Sequence, residues 1–330
     1  RVVYQNGEFV AEQDAKISIY DSALMFGDMV FEMTRSFKKK QFKLREHLER
    51  LYAGIKIFRI PMKLTIEEME KCCYETIERN DPVFSEHDEH RLMINVSRGP
   101  LSIYGPIFGG KLEPTVVIAD FPLKWTVASM GTLFEEGIDA VIPSQRAIPA
   151  DLLDPKIKSR SRVHYQMANI EVSGYKGDNN WALLLDPDGF IAEGTGDNFF
   201  IVKKGMIITP EDRNILRGVS RDYIFEVAKE LGLETQSPLV VGTGGWLSHE
   251  QDGKLYLIRG DNPLDNSLNL LKKLLIISSA KTDILEIPTR NPFKNNKYKI
   301  RDLFDALDRS SAEIIAEEFC DIISKIEGFE

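Results

Sequence analysis

A mixed α/β (α+β) fold in two domains is what the 330-residue sequence predicts, on three observations. Short runs rich in Val, Ile and Phe alternate with stretches whose apolar residues recur at helical spacing. A Pro-bearing stretch interrupts these patterns near residue 122, and strand-like patterning resumes beyond it. The length exceeds one small core and suits two domains of ordinary size. The expected division is an N-terminal α/β domain over residues 1–121, a linker over 122–133 and a C-terminal domain over 134–330.

The elements follow in order. Residues 2–10 and 15–18 read as strands, and 31–37 with 41–43 read as a hairpin around Lys38, Lys39 and Lys40. From Glu46 the period changes: Leu48, Leu51, Ile55 and Phe58 predict a helix over 46–58, and Thr65 with Glu68 three residues later predicts a capping box opening a second helix. Residues 91–97 and 115–119 read as strands; 99–110, rich in glycine and proline, reads as a loop able to overhang a site. The connection over 119–132 is expected to be extended. Beyond it come strands at 138–142, 181–185, 190–192, 198–203 and 206–209, a helix over 159–174 and a helix over 219–231. The last is bracketed by Gly218 and Gly232, with Ile224, Val227, Ala228 and Leu231 on one face.

The net charge of -9 and the lack of a basic stripe argue against nucleic acid as a partner. Basic runs at 38–40 and 203–204 read as solvated turns. Three cysteines, two of them adjacent at Cys72 and Cys73, make no disulfide framework and suit a reducing, cytoplasmic setting. No apolar run is long enough to span a bilayer and there is no signal peptide, so no membrane partner is expected. Because the chain begins at Arg1 and not Met, an initiator or short leader is expected to be missing. His87 and His90 lack a third ligand at metal spacing, so no metal is expected.

Chemistry-bearing residues are concentrated in a few places. Glu193 stands between a short apolar run and the turn Gly194, Thr195, Gly196, Asp197, Asn198. A carboxylate fixed there by rigid backbone either meets a ligand or belongs to a plain polar hairpin. A protonated ring nitrogen would explain a buried carboxylate electrostatically. Lys158, after Pro155 and read as lying at the start of a helix, has Lys156, Arg160 and Arg162 nearby. Cationic neighbours are what favour a nucleophilic amine, although a solvated basic helix start fits too and Lys156 competes. Arg50 either turns inward to clamp a phosphate or pairs with Glu46 or Glu49. Gly218, Val219 and Ser220, following Leu216 and Arg217, place a glycine just before a helix, where free N–H groups favour an anion.

Together these motifs carry a resemblance. Residues 26–32 (FGDMVFE), 42–51 (FKLREHLERL), Lys158, 193–198 (EGTGDN) and 216–221 (LRGVSR) closely resemble, in order and spacing over roughly residues 4–234, the fold-type IV pyridoxal-phosphate enzymes. That family includes branched-chain and D-amino-acid aminotransferases and aminodeoxychorismate lyases. The resemblance implies a smaller N-terminal α/β domain, a larger β-barrel-like C-terminal domain carrying the cofactor lysine, and pyridoxal 5'-phosphate in the cleft between them. It implies that Lys158 joins the cofactor and shuttles a proton, Glu193 binds the pyridine nitrogen, Arg50 with the Val219 and Ser220 N–H groups holds the phosphate, and Leu216 packs on the ring. It also implies a homodimer that transfers an amino group between a small-molecule amino acid, branched-chain or D, and a 2-oxo acid. A lyase on the same scaffold, or a cofactor-binding protein without turnover, are the alternatives.

The chain departs from the family pattern in places. Aligning 274–287 with the late strand puts Ala280 where relatives often carry a phosphate-binding threonine, with Ser278 and Ser279 just before it, so Ser279 is the candidate contact. Residues 240–273 read as an insertion or a diverged loop. Phe31 matches the aromatic of branched-chain enzymes, whereas the strand over 91–97 lacks their tyrosine and arginine pair, and the Arg and His trap of D-amino-acid enzymes is missing too. Arg35, Arg98 and Tyr104 are the candidate substrate-carboxylate contacts.

Overall fold

The structure is a computed structural model; it describes residues 1–237 apart from 132 and 204, together with the strands Trp246–Gln251 and Lys254–Arg259. The chain packs as two compact units. One comprises Arg1–Gly137 and Lys156–Arg162; the other comprises Ile138–Pro155 and the chain from Val163 onward. Lys158 therefore lies in the first unit, on a segment that sequence reading assigned to the C-terminal domain.

The first unit is built on a six-stranded antiparallel sheet of β1 (Val2–Gln5), β2 (Glu8–Ala11), β3 (Met29–Phe37), β4 (Lys40–Gln41), β5 (His90–Ser97) and β6 (Thr115–Pro122), in the order β2-β1-β6-β5-β3-β4. Successive side chains point to opposite faces. Val30, Leu92, Ile94, Val96, Val116 and Ile118 form a core with Leu48, Leu51 and Ile55 of α2 (Leu44–Phe58) and Met69 and Cys73 of α3 (Ile66–Asn80), following the short α1 (Ser22–Phe26). Burying each such Leu or Ile contributes about 1.5–3 kcal/mol. The expected capping box is present at α3: Glu68 N–H donates to Thr65 Oγ1 (3.2 Å) and Thr65 N–H to the Glu68 carboxylate (2.7 Å).

The opposite face of the sheet carries Phe31, with Asn95 of β5 directly across from it. The outer edge of β3 is paired with β4 at one end and with residues 157–160 at the other. Phe31 N–H donates to Lys158 O (2.9 Å), Arg160 N–H donates to Met29 O (2.8 Å), and Val30 sits opposite Ser159. Alternation then sends Ile157 into the helix-side core and turns Lys158 and Arg160 toward the face of Phe31.

Several expectations are corrected here. Residues 15–18 form no strand: a 3-10 turn at Glu12–Asp14 diverts the chain away from the sheet. The loop over 99–110 contains a 3-10 helix, Ser102–Phe108. The stretch over 119–132 is not extended throughout. β6 continues to Pro122, and α4 (Lys124–Val127), a 3-10 turn (Ala128–Met130) and α5 (Leu133–Glu136) follow. The helix expected from 159 begins later, as α6 (Val163–Ser173), because the backbone up to Arg160 is committed to β3.

In the second unit, β7 (Asp139–Val141), β8 (Asn180–Leu185) and β9 (Ile191–Gly194) form one sheet, against which α6 packs Ala168 and Val172. A second sheet joins β10 (Ile201–Lys203), β11 (Met206–Ile208) and β12 (Thr235–Gln236), with α7 (Val219–Glu230) preceding β12. Within 240–273, read as an insertion or a diverged loop, an antiparallel pair is described, β13 (Trp246–Gln251) and β14 (Lys254–Arg259). The late strand at 274–287, with Ser278, Ser279 and Ala280, lies outside the described residues. No helix among the described residues is long and apolar enough to cross a membrane.

Candidate active site

In the first unit the chemistry centres on Phe31, which is 2 % exposed. The Lys158 amine lies 5.0 Å from its ring centroid, the Arg160 guanidinium carbon 3.7 Å and that of Arg162 5.5 Å. A half-buried lysine on a segment hydrogen-bonded to β3 is held more firmly than one on a free loop. Lys156, its competitor in the sequence, is exposed. Sequence reading singled out Lys158 but passed over Arg160, whose Nε and Nη2 both donate to Asn95 Oδ1 (3.1 and 2.8 Å).

On the helix side of β3, Arg50 turns inward, and its partner is neither Glu46 nor Glu49. Its Nε and Nη2 donate to the two carboxylate oxygens of Glu32 (2.6 and 2.7 Å), and His47 Nδ1 lies 2.7 Å from the same carboxylate. Glu32 is fully buried. Desolvation alone would push its pKa up, but the hydrogen bonds from His47 and Arg50 outweigh it and hold the carboxyl below its ordinary value. A bidentate pair fixes the plane of a guanidinium, so Glu32 orients Arg50 from behind.

The three candidate carboxylate contacts do not converge. Arg98 donates to both oxygens of Asp28 (2.7 and 3.3 Å) and to the carbonyls of Arg59 (2.9 Å) and Phe58 (2.7 Å), which makes it a clamp on the end of α2. Arg35 lies over Phe37, its guanidinium carbon 3.9 Å from the ring centroid. Tyr104 packs on Tyr20 at 4.6 Å. Among the described residues no group of acidic, Cys or His side chains is arranged to hold a metal. His90 is instead bracketed by Asp120 and Asp81, each 2.9 Å from one ring nitrogen.

In the second unit the EGTGDN turn is a tight reversal. Gly194 N–H donates to Asp197 O (2.9 Å), and Glu193 pairs with Asn198 across it. Glu193 is 5 % exposed. Tyr165 Oη donates to its Oε1 (3.1 Å), and Asn198 Nδ2 and the Leu216 N–H donate to its Oε2 (3.1 and 3.0 Å). Asn198 Nδ2 also donates to Leu216 O (2.9 Å). Leu216 follows Ile215, which is buried against Ala147 and Ala192, so Leu216 is fixed from both sides. Gly218 then caps α7 with no side-chain hydrogen bond to its first turn. A β-carbon there would fall 2.1 Å from Asn198 Oδ1, which is why glycine is needed.

These features fit a phosphate-bearing pyridine. Glu193 is a buried carboxylate that accepts from Tyr165, Asn198 and the Leu216 N–H, and a carboxylate so fixed complements a protonated ring nitrogen. The first turn of a 12-residue helix, uncapped by any side chain, presents N–H groups and a positive dipole end to an anion. In the first unit, taken by itself, Lys158 offers a half-buried primary amine, the group with which an aldehyde cofactor condenses.

Comparison with known proteins agrees. The profile of the family described as Amino-transferase class IV matches residues 29–238. A putative branched-chain-amino-acid aminotransferase of Methanocaldococcus jannaschii is 39% identical over 242 residues, covering 72% of this chain and 79% of that protein. The branched-chain-amino-acid aminotransferase of Escherichia coli K12 is 30% identical over 259 residues, covering 75% and 79%. Among solved structures, a T.th. branched-chain amino acid aminotransferase complexed with N-(5'-phosphopyridoxyl)-L-glutamate superimposes with a TM-score of 0.62 at 29% identity, covering 72% of this chain and 75% of that one. The chain therefore belongs to the class IV aminotransferases, with their fold-type IV architecture, and is a pyridoxal-phosphate-dependent aminotransferase.

Proposed function

We propose that this enzyme moves the amino group of branched-chain amino acids to a 2-oxo acid, with Lys158 as its catalytic residue. The observation that carries the assignment of Lys158 is the placement of its amine 5.0 Å from the Phe31 ring, on a segment paired to β3. The branched-chain class, in preference to D-amino acids, is supported by the names of the relatives above and by Phe31 itself.

When bound, pyridoxal phosphate supplies an electron sink for the pair released at the substrate α-carbon. The chain's residues do the rest. Lys158 Nζ holds the cofactor and moves the proton at the substrate α-carbon. Glu193 accepts the pyridinium N–H and keeps that nitrogen protonated, while Tyr165, Asn198 and the Leu216 N–H hold its carboxylate in place. The family resemblance assigns the phosphate to Arg50, which Glu32 orients, and to the Val219 and Ser220 N–H groups. Leu216 would pack against the ring, and Ser279 is a further candidate for the phosphate.

Two further proposals accompany this reading. The enzyme is a homodimer: the segments around α1 and Ser102–Phe108 join through a bridge between Asp21 and Pro100 and leave Ile19, Leu24, Phe26, Ile103 and Ile107 exposed. Its setting is cytoplasmic, in keeping with the free thiols of Cys72 and Cys73.

A spectral titration of the purified, cofactor-loaded protein tests the assignment. L-valine, L-leucine and L-isoleucine should convert the visible absorbance to that of the amine-loaded form, and a 2-oxo acid should restore it. Conversion by D-amino acids alone, pyruvate release from aminodeoxychorismate without exchange, or no conversion by any donor would each overturn it. Sedimentation velocity checks the dimer.

A further inference from the structure

The geometry points to Arg160 as the residue that reads the substrate's α-carboxylate, with Asn95 and Phe31 holding its guanidinium in place. This inference rests on the amino-acid substrate proposed above.

Lys158 and Arg160 flank Ser159, the residue bridged to Val30 of β3, and both side chains leave this segment toward Phe31. Both reach the same ring. With the Lys158 amine 5.0 Å and the Arg160 guanidinium carbon 3.7 Å from the Phe31 centroid, the two cations lie within about 9 Å of each other. A reacting amino acid needs a comparable span. Its α-carbon must come within about 3.5 Å of the lysine amine, and its carboxylate, one bond further, must sit within about 3 Å of a donor.

Arg160 is also held ready. Its planar group stacks on Phe31, and its Nε and Nη2 share the single oxygen Asn95 Oδ1. Phe31 and Asn95 are direct cross-strand partners, so register alone delivers the ring and the amide together. No carboxylate among the described residues pairs with Arg160, although it is half-buried. Burial and the nearby Arg162 make its charge less favourable than usual, which an arriving anion would relieve. The other cations considered for this task are engaged elsewhere: Arg98 by Asp28 and two carbonyls, Arg35 above Phe37.

The anion recognised has two available sources, the substrate carboxylate and the cofactor phosphate; the first is proposed, and the experiment separates them. Cofactor-loaded parent, Arg160→Gln and Arg160→Lys proteins are titrated calorimetrically with 4-methylvaleric acid, a branched carboxylate that cannot react, and with 4-methylpentan-1-ol, its carboxylate-free counterpart. Cofactor affinity and Tm are measured on the same samples. The expected result is at least a tenfold loss of acid affinity in R160Q and a smaller loss in R160K, which keeps the charge but not the planar fork. Alcohol and cofactor affinities should change less than twofold. Acid binding within twofold of the parent in R160Q would overturn the proposal. So would an equal loss of acid and alcohol, which marks a merely structural residue, or a loss confined to the cofactor, which marks a phosphate ligand. Should R160Q unfold, R160K and Asn95→Leu, which frees the guanidinium, give the same comparison. A protein that transfers no amino group yet binds the acid through Arg160 breaks the functional reading alone.

Discussion

Gly218→Ala is the substitution whose effect follows most directly from coordinates. The backbone at Gly218 has φ -73° and ψ 130°, a conformation alanine adopts freely, so no strain arises from the chain itself. The added carbon would instead lie 2.1 Å from Asn198 Oδ1 and 3.2 Å from the Arg221 β-carbon. Asn198 must move. Its amide gives up hydrogen bonds to the Glu193 carboxylate (3.1 Å) and to Leu216 O (2.9 Å). A bond to a charged group contributes about 1.5–3 kcal/mol and a neutral one about 1 kcal/mol. With partial relaxation the expected loss at the cofactor is about 2–3 kcal/mol, roughly 30- to 150-fold in affinity. Alanine is also a poorer N-cap than glycine, which costs α7 up to about 1 kcal/mol in stability.

A double-mutant cycle on cofactor affinity isolates the mechanism. Asn198→Ala removes the obstructed side chain, so it should cost about as much as G218A. Adding G218A to N198A should then lower affinity by no more than about fivefold, the N-cap contribution alone. Affinity of G218A within threefold of the parent would refute the reasoning. So would losses that simply multiply, because they would mean that Asn198 does not carry the effect.

Lys158→Ala should abolish amino transfer, with a fall in kcat of at least about 10⁴-fold, whereas Lys156→Ala should stay within about threefold of the parent; single-turnover kinetics with L-leucine separate the two. Glu32→Gln should lower stability at neutral pH by about 3–5 kcal/mol, since it leaves Arg50 and His47 facing a neutral amide in a buried site. The Glu32 carboxyl is held below its ordinary value, so its contribution is present above the unfolded pKa and is lost as pH falls through the folded one; urea midpoints of parent and variant should converge toward acid pH. His90→Gln tests the opposite sign. Burial opposes charging His90, but Asp120 and Asp81 outweigh it and raise its pKa, so its contribution is full below an unfolded value of about 6.5 and fades as pH rises through the folded one. The variant should lose about 2 kcal/mol below that value and less in alkali, and a pH-independent difference in melting would count against the pairing.

Much of the first unit was legible because its signals are local. The apolar spacing of Leu48, Leu51 and Ile55 and the Thr65–Glu68 box need only neighbouring residues to specify α2 and α3. The EGTGDN turn was equally plain, since its glycines and Asn198 set the reversal that holds Glu193. The segment over 157–160 was misread because nothing in its composition favours a strand. Its place beside the sheet comes from hydrogen bonds to β3, more than a hundred residues earlier. Arg160 was passed over for the same reason, as its partners Phe31 and Asn95 are brought together only by strand register. Arg98 looked available as a carboxylate contact, but only the fold reveals Asp28 and the end of α2 filling its donors.

The pairing of β3 with residues 157–160 also bears on how the chain reaches its folded state. The half of the β3 edge at Met29–Phe31 has no partner until residue 160 has been made, so a growing chain carries unpaired backbone donors and acceptors there while β5 and β6 are already available. Closing a loop of that length costs entropy that local contacts do not repay, which makes this docking a late step. The proposed nucleophile is thus carried by one of the last segments to join the sheet. Synthesis that stops short of it leaves an exposed edge prone to association, and the same late pairing ties placement of the Lys158 amine to completion of the sheet.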